Sequence, residues 1–315
     1  MKSQHQMQNK PIPLIYHPIY SALPLPEGHR YPINKYRLLY EAIEHKYLSE
    51  ANHTFVIVTP TPVSEQQVKS VHCEHYVDAL ITGNLPAAKL RRIGFPWSEC
   101  LIERTLTSAG GTCLAVELAL REGVSIHLSG GYHHAHYDFG SGFCLFNDLI
   151  IAARRGLELG ADKVLIIDSD VHHGDGSATL ATHSPEIVTL SLHCDKNFPA
   201  RKPESDLDVP FPRGTGDKEY LSSFKQVVEL ALRLHQPDLV IFDAGVDIHQ
   251  HDELGYLDVT LEGIRERDSW LLASCERGGI PVACVVGGGY RSNHEQLVPV
   301  HMSLIDAAYQ LRNHE

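Results

Sequence analysis

Asp168, Asp170 and His172 recur at every second position within Asp168-Ser169-Asp170-Val171-His172-His173-Gly174-Asp175-Gly176. If the chain stays extended there, alternate side chains point the same way, and a carboxylate and an imidazole can share a cation. Asp247, closing Asp243-Ala244-Gly245-Val246-Asp247, can supply a third ligand. Three N/O ligands with an open position is the design of a catalytic zinc site. The same donors, without thiolate, also accept Fe(II), Co(II) or Mn(II). The competing reading is that Asp170 and His172 cap the helix that follows. Taken alone, the motif divides evenly between the two. A structural role for all of Asp168, Asp170, His172, His173 and Asp175 would require a partner for every desolvated polar group.

His133 and His134 are adjacent and cannot share one face of a regular strand, but in a loop both can line a pocket. Each then needs an acid to fix its tautomer and tune its basicity, and Asp168 and Asp175 are available. A His-His pair alone usually reads as a solvated loop. Here the flanking Gly130-Gly131 and Gly140-Ser141-Gly142 indicate close backbone approach to something. Tyr290 follows Gly287-Gly288-Gly289, so a tight loop can present its phenol to a developing oxyanion. That loop lacks the Lys-Ser/Thr of a phosphate loop and the spacing of a dinucleotide fingerprint.

These segments need elements to hold them. The runs 54–58, 124–128, 163–168, 187–192, 239–243 and 282–286 are short, β-branched and apolar on both faces, and read as buried strands, with a further one at 14–16. Helical spacing covers 217–235 most clearly, through Tyr220, Leu221, Phe224, Val227, Val228, Ala231 and Leu234. It also covers 99–121, 147–159, 261–277 and 293–312, the last kinked or interrupted at Pro299. The alternation predicts an α/β fold: one open, mostly parallel sheet with helices on both faces. Ligands of such sheets bind beyond the carboxyl ends of the strands. All four chemistry-bearing segments follow a strand there.

Composition narrows the partners. The chain has 315 residues, with 27 basic and 39 acidic side chains and a formal charge of -12. That balance argues against nucleic acid and anionic membranes, and would weakly attract a cationic substrate. Seven cysteines, an odd number without a C-x-x-C pair, disfavour disulfides and point to a reducing compartment. No signal-peptide pattern or spanning apolar run occurs, so the expectation is a cytoplasmic protein. Residues 1–10 read as a loose tail and 11–315 as one domain. Oligomeric state is not readable from the sequence.

Together the motifs resemble the zinc-dependent histone deacetylase family, in particular its class IV and bacterial members. The resemblance runs from Tyr16-His17-Pro18 and Pro26-Glu27-Gly28-His29-Arg30, through Gly110-Gly111-Thr112, Gly131-Tyr132-His133-His134-Ala135, Gly142-Phe143-Cys144 and Asn147-Asp148, to the aspartate-histidine segment. It continues through Ser191-Leu192-His193, Gly214-Thr215-Gly216, Gly245-Val246-Asp247 and the loop ending at Tyr290, in the family's order. It implies the arginase–deacetylase fold and hydrolysis of an N-acyl, chiefly acetyl, lysine amide; longer acyl-lysines and acetylpolyamines stay open. It implies that Asp170, His172 and Asp247 hold Zn2+, with Fe2+ as an alternative. His134, paired with Asp175, would be general base and then acid. His133, paired with Asp168, would be mainly electrostatic, and Tyr290 would polarise the acyl carbonyl. Gly142, Phe143 and Phe198 would flank the substrate stem. The backbone of Asp168, Asp170 and His172, with Ser191 and Leu192, resembles a structural K+ site. Ser169 and Tyr132 depart from the family's usual residues, and 199–212 has no counterpart. Rival readings are a manganese ureohydrolase of the same fold and a non-catalytic acyl-lysine binder.

Overall fold

The computed structural model describes residues 10–48 and 53–313, so the expected tail over 1–10 lies outside them except for Lys10. Eight parallel strands form one sheet in the order β2-β1-β3-β8-β7-β4-β5-β6. They are β1 (Ile12–Ile15), β2 (Phe55–Val58), β3 (Val124–His127), β4 (Val164–Asp168), β5 (Ile187–Cys194), β6 (Leu207–Phe211), β7 (Leu239–Asp243) and β8 (Val282–Val285). Every residue of β1, β3, β4, β5, β7 and β8 is buried. This is why those strands read as continuous apolar runs: both faces are covered.

β6 escaped the sequence reading for a physical reason. It is the sheet's edge, alternates between partly covered and exposed residues, and contains Pro210. Proline is tolerated at an edge, where no neighbour needs its missing N–H. The segment 199–212, which had no counterpart in the resemblance, therefore ends in a strand.

Among the described residues, ten α-helices pack around the sheet: α1 (Lys35–Tyr47), α2 (Glu65–Lys69), α3 (Glu74–Ile81), α4 (Ala87–Ile93), α5 (Glu99–Glu122), α6 (Asp148–Glu158), α7 (Asp175–Ala181), α8 (Asp217–His235), α9 (Leu261–Gly278) and α10 (Val298–Asn313). The first four were not foreseen. β7 shows that both faces are covered. A Cβ on Gly156 of α6 would come within 2.7 Å of Leu239, whereas Phe242 meets Phe224 of α8 and Arg267 of α9. Leu239 and Phe242 are an odd number of residues apart, so they point to opposite faces.

The helix ends follow their sequence signals. α8 closes on Gln236 in the left-handed conformation, followed by Pro237, which cannot continue a helix. The expected break near Pro299 is a 3-10 turn over His294–Leu297, after which Pro299 lies in the first turn of α10, where its missing N–H costs nothing.

Candidate functional site

β3, β8, β7 and β4 are consecutive in the sheet, so the segments leaving their carboxyl ends converge. β4 stops at Asp168, and residues 169–174 bend. The two-residue spacing of Asp168, Asp170 and His172 is therefore not displayed on a strand. The bend's own amides organise the acids instead. The Asp170 N–H donates to Asp168 at 3.1 Å, the His172 N–H to Asp170 at 2.9 Å and the Val171 N–H to Asp247 at 2.8 Å. Ser169 donates through N–H and hydroxyl to the Asp243 carbonyl, tying β4 to β7. α7 starts from Gly174 without a side-chain cap, so Asp170 and His172 do not serve as its cap.

Asp170, His172 and Asp247 are buried and place one ligand atom each within 4.8 Å of one another. His172 Nδ1 lies 2.9 Å from Asp170 and 3.1 Å from Asp247. Burial opposes ionisation of Asp170, but His133 and His172 hold its carboxyl well below the usual range. Burial, and then the charge on Asp170, pushes Asp247 up to about 7. Burial works against a charged His172, yet the two carboxylates lift it to about 10. Two buried acids crowded around one imidazole nitrogen suit a cation, which would take the place of the imidazole proton. The glycine loop after β8 closes the cluster. The Gly288 N–H donates to Asp170 at 3.0 Å, and a Cβ on Gly288 would fall 2.2 Å from Asp170 and 2.4 Å from Asp247. Only glycine allows this approach.

Beside the cluster stand two imidazole–carboxylate pairs. His133 Nδ1–H donates to Asp168 at 2.7 Å, and His134 Nδ1–H donates to Asp175 at 2.6 Å. Asp175 also accepts from His136 at 2.9 Å. The two facing Nε2 atoms are 3.1 Å apart. Burial opposes charge on both rings, but Asp168 raises His133 well above the ordinary range. Burial, and then the charge on His133, lowers His134 to about 3. The surroundings thus favour charge on His133 and disfavour it on His134. The start of α6 aims both rings: Asp148 accepts the Tyr132 N–H at 2.7 Å, and the Asn147 amide donates to the carbonyls of His133 and Ala135.

Above them opens a cleft of about 1010 Å³, lined by His134, His172, Gly142, Phe143, Phe198 and Tyr290, among others. The Phe198 ring is 4.8 Å from His134, and the Phe143 ring is 6.1 Å from Tyr290. Gly142 adopts φ +52, and a Cβ there would strike His134 at 2.6 Å. Tyr290 is fixed through its backbone, its N–H donating to Asp252 at 2.6 Å. Burial, Asp170 and Asp247 all hold its phenol protonated. His133, Asp168, Asp170 and Asp247 lie beneath the cleft. Ser191 is in register with Asp168 on the neighbouring strand and meets His193 at 3.1 Å; Leu192 follows it.

Two residues that shape the site, Lys35 and Arg267, give no usable sequence signal. Lys35 of α1 is buried, donates to the Gly287 carbonyl at 2.8 Å, and is lowered to about 8 by burial against the opposing field of Asp247 and Asp170. Arg267 of α9 is buried, pairs with Asp268 at 2.9 Å and donates to the Gly245 carbonyl at 2.7 Å, holding the turn that leads to Asp247. Asp243 is buried with both carboxylate oxygens lacking a hydrogen bond, and burial, then Asp168, raises it well above the carboxylate range. An apolar run ending in Asp could have flagged Asp243, since β4 ends the same way.

Comparison with known proteins identifies the family. The histone deacetylase domain family matches residues 29–304. An uncharacterised protein of Picosynechococcus is 43% identical over 304 residues, spanning 94% of this chain and 98% of that protein. Histone deacetylase 2 of Arabidopsis thaliana is 31% identical over 77% of this chain and 65% of its own length. The acetoin utilization protein AcuC of Bacillus subtilis is 29% identical over 88% of this chain and 76% of its own. The solved HDA15 HD domain superimposes with a TM-score of 0.78 at 22% identity, covering 96% of this chain and 91% of that one, and so shares the fold. The chain belongs to the histone deacetylase family, whose members are hydrolytic deacetylases.

Proposed function

We propose that the protein is a zinc-dependent deacylase that hydrolyses the amide of an N-acyl lysine side chain, acetyl-lysine first. The observation that carries this reading is the pair of touching histidines, each backed by its own carboxylate, set beside a metal-fitting cluster beneath an aromatic-walled cleft. Asp170, His172 and Asp247 would hold the zinc, which when bound polarises the acyl carbonyl and acidifies water.

The remaining steps belong to the chain's own groups. Neutral His134 accepts the proton of the attacking water, and Asp175 stabilises the imidazolium that forms. His134 then returns that proton to the leaving amine. His133, kept protonated against Asp168, contributes positive charge beside the developing oxyanion. Tyr290 donates its hydroxyl proton to that oxyanion as a hydrogen bond. Phe143 and Phe198 pack along the aliphatic stem and exclude water from the reacting amide.

Acyl release should be measured with zinc-loaded protein on acetyl-lysine, long-chain acyl-lysine and acetylpolyamine substrates, with a chelator control. Chelator-sensitive release is the expected result. Tight retention of acyl-lysine without release would instead identify a binder.

A further inference from the structure

The mouth of the cleft does not share the charge of the rest of the molecule. The chain carries -12 overall, yet Arg30, Arg92, Arg201 and Lys202 all line the opening. They come from three separate places: the loop before α1, the end of α4, and the loop between β5 and β6. Among the described residues, none of the four has a carboxylate within ion-pair distance, whereas Arg37, Lys46, Lys69, Arg155 and Lys225 each do. The Arg92 guanidinium rests on the Phe139 ring at 3.9 Å, and Lys202 is steadied by the carbonyls of Asn197 and Pro199 at 2.8 and 2.7 Å. Neither contact neutralises charge.

Among the described residues, Glu253 is the one exposed acid lining the mouth. It accepts the Ser292 N–H and hydroxyl at 2.7 and 2.8 Å, and those bonds, with Arg30 and Arg291 nearby, keep it ionised. Its single charge offsets at most one of the four cations, so the mouth keeps a surplus of positive charge. Four cations gathered at one opening of an acidic chain make a local positive field that suits an anionic group.

We infer that the substrate brings that partner: an acyl-lysine whose neighbouring residues are Asp or Glu, with their carboxylates seated on Arg30, Arg92, Arg201 and Lys202. Arginine suits this task because its fork matches a carboxylate in a bidentate manner. The inference rests on the deacylase reading of the cleft and names its substrate class. It reverses the expectation from bulk charge, which favoured a cationic substrate, and it disfavours acetylpolyamines, whose free amines would meet like charge.

The test is a matched set of acetyl-lysine peptides flanked by Asp, Asn or Lys, with free Nε-acetyl-lysine and acetylspermidine alongside. Steady-state kinetics and direct binding are both measured. The Asp peptide should show KM and Kd about tenfold below the Lys peptide, with kcat little changed, because mouth charges act on encounter and ground-state binding. The gap should shrink in high salt. Arg201→Glu and Arg92→Glu, on exposed side chains, should each remove much of the preference. Preference for free acetyl-lysine over the Asp peptide would place the carboxylate on the lysine itself and overturn the flanking-residue assignment. Equal binding of all peptides, or preference for the Lys peptide or acetylspermidine, would overturn the inference while leaving the deacylase reading intact. Selective binding of the Asp peptide with no acyl release would support the inference and overturn the deacylase reading.

Discussion

His172 and His173 are neighbours in sequence, yet each joins a different group of side chains able to hold a metal. His172 stands between Asp170 and Asp247. His173 donates to Asp208 at 3.1 Å, with its ring 4.5 Å from His193. By ligand spacing the two groups are equivalent. Their surroundings are not. The first has two buried acids, a glycine loop pressed against them, and an imidazole that lines the cleft. The second has one acid, on the exposed edge strand β6, and its carboxylate is met by His173 and by the Ser205 N–H at 2.9 Å. It works as a clasp that fastens β6 to the bend after β4. Proximity of ligating atoms therefore does not distinguish a metal centre from a structural contact. Surplus buried negative charge and access to a cleft favour the first group as the one to hold an ion.

The largest expected effect separates the groups directly. Asp247→Asn should abolish zinc retention and lower kcat/KM by on the order of a thousandfold or more, because one ligand and one charge are lost together. Metal analysis alongside kinetics checks this. Tyr290→Phe comes next: kcat should drop by roughly 10²–10³, the usual cost of one oxyanion donor, with zinc content unchanged. If that variant kept full activity, the oxyanion role would be wrong.

Acid should also loosen the loop that carries the histidine pair. His72 is buried, with Nδ1 against the His136 carbonyl and Nε2 accepting the Asn147 N–H, so it supports the loop carrying His133 and His134. Burial lowers it to about 4. The unfolded chain takes up this proton near the ordinary pKa of about 6.5 while the folded chain resists it. Stability is therefore fully present above that value and falls as pH drops toward the folded value, by at most about 1.4 kcal/mol per pH unit from this group. Denaturation across pH should show the slope, and His72→Gln, less stable at neutral pH, should lose part of it. The smallest effect is assigned to Asp208→Asn: zinc content and kcat should match the parent, with about 1 kcal/mol or less lost from stability. Loss of zinc there would undo the distinction between the two groups.

Much of the centre was legible because parallel strands buried on both faces announce themselves as apolar runs, and Asp168, His133, Asp247 and Tyr290 all follow such runs. The reason first given for joining Asp170 to His172 did not hold, since the strand ends at Asp168 and a bend positions both. Lys35 and Arg267 were illegible for another reason. Each acts through a contact that only the folded chain creates, with Lys35 reaching Gly287 from 252 residues away. β6 was hidden by its own location, since an edge strand with a proline lacks the pattern of a buried one. The cationic mouth was masked by averaging, because a net charge does not say where the unpaired arginines gather.

The central claim is that one ion, held by Asp170, His172 and Asp247, is required for amide hydrolysis. The most direct test strips the protein with chelator and adds zinc back stepwise, following acyl release from an acetyl-lysine peptide. Activity should rise linearly, saturate at one zinc per chain, and stay flat for Asp247→Asn. Full turnover by the stripped protein, or saturation only at two ions per chain, would contradict the account.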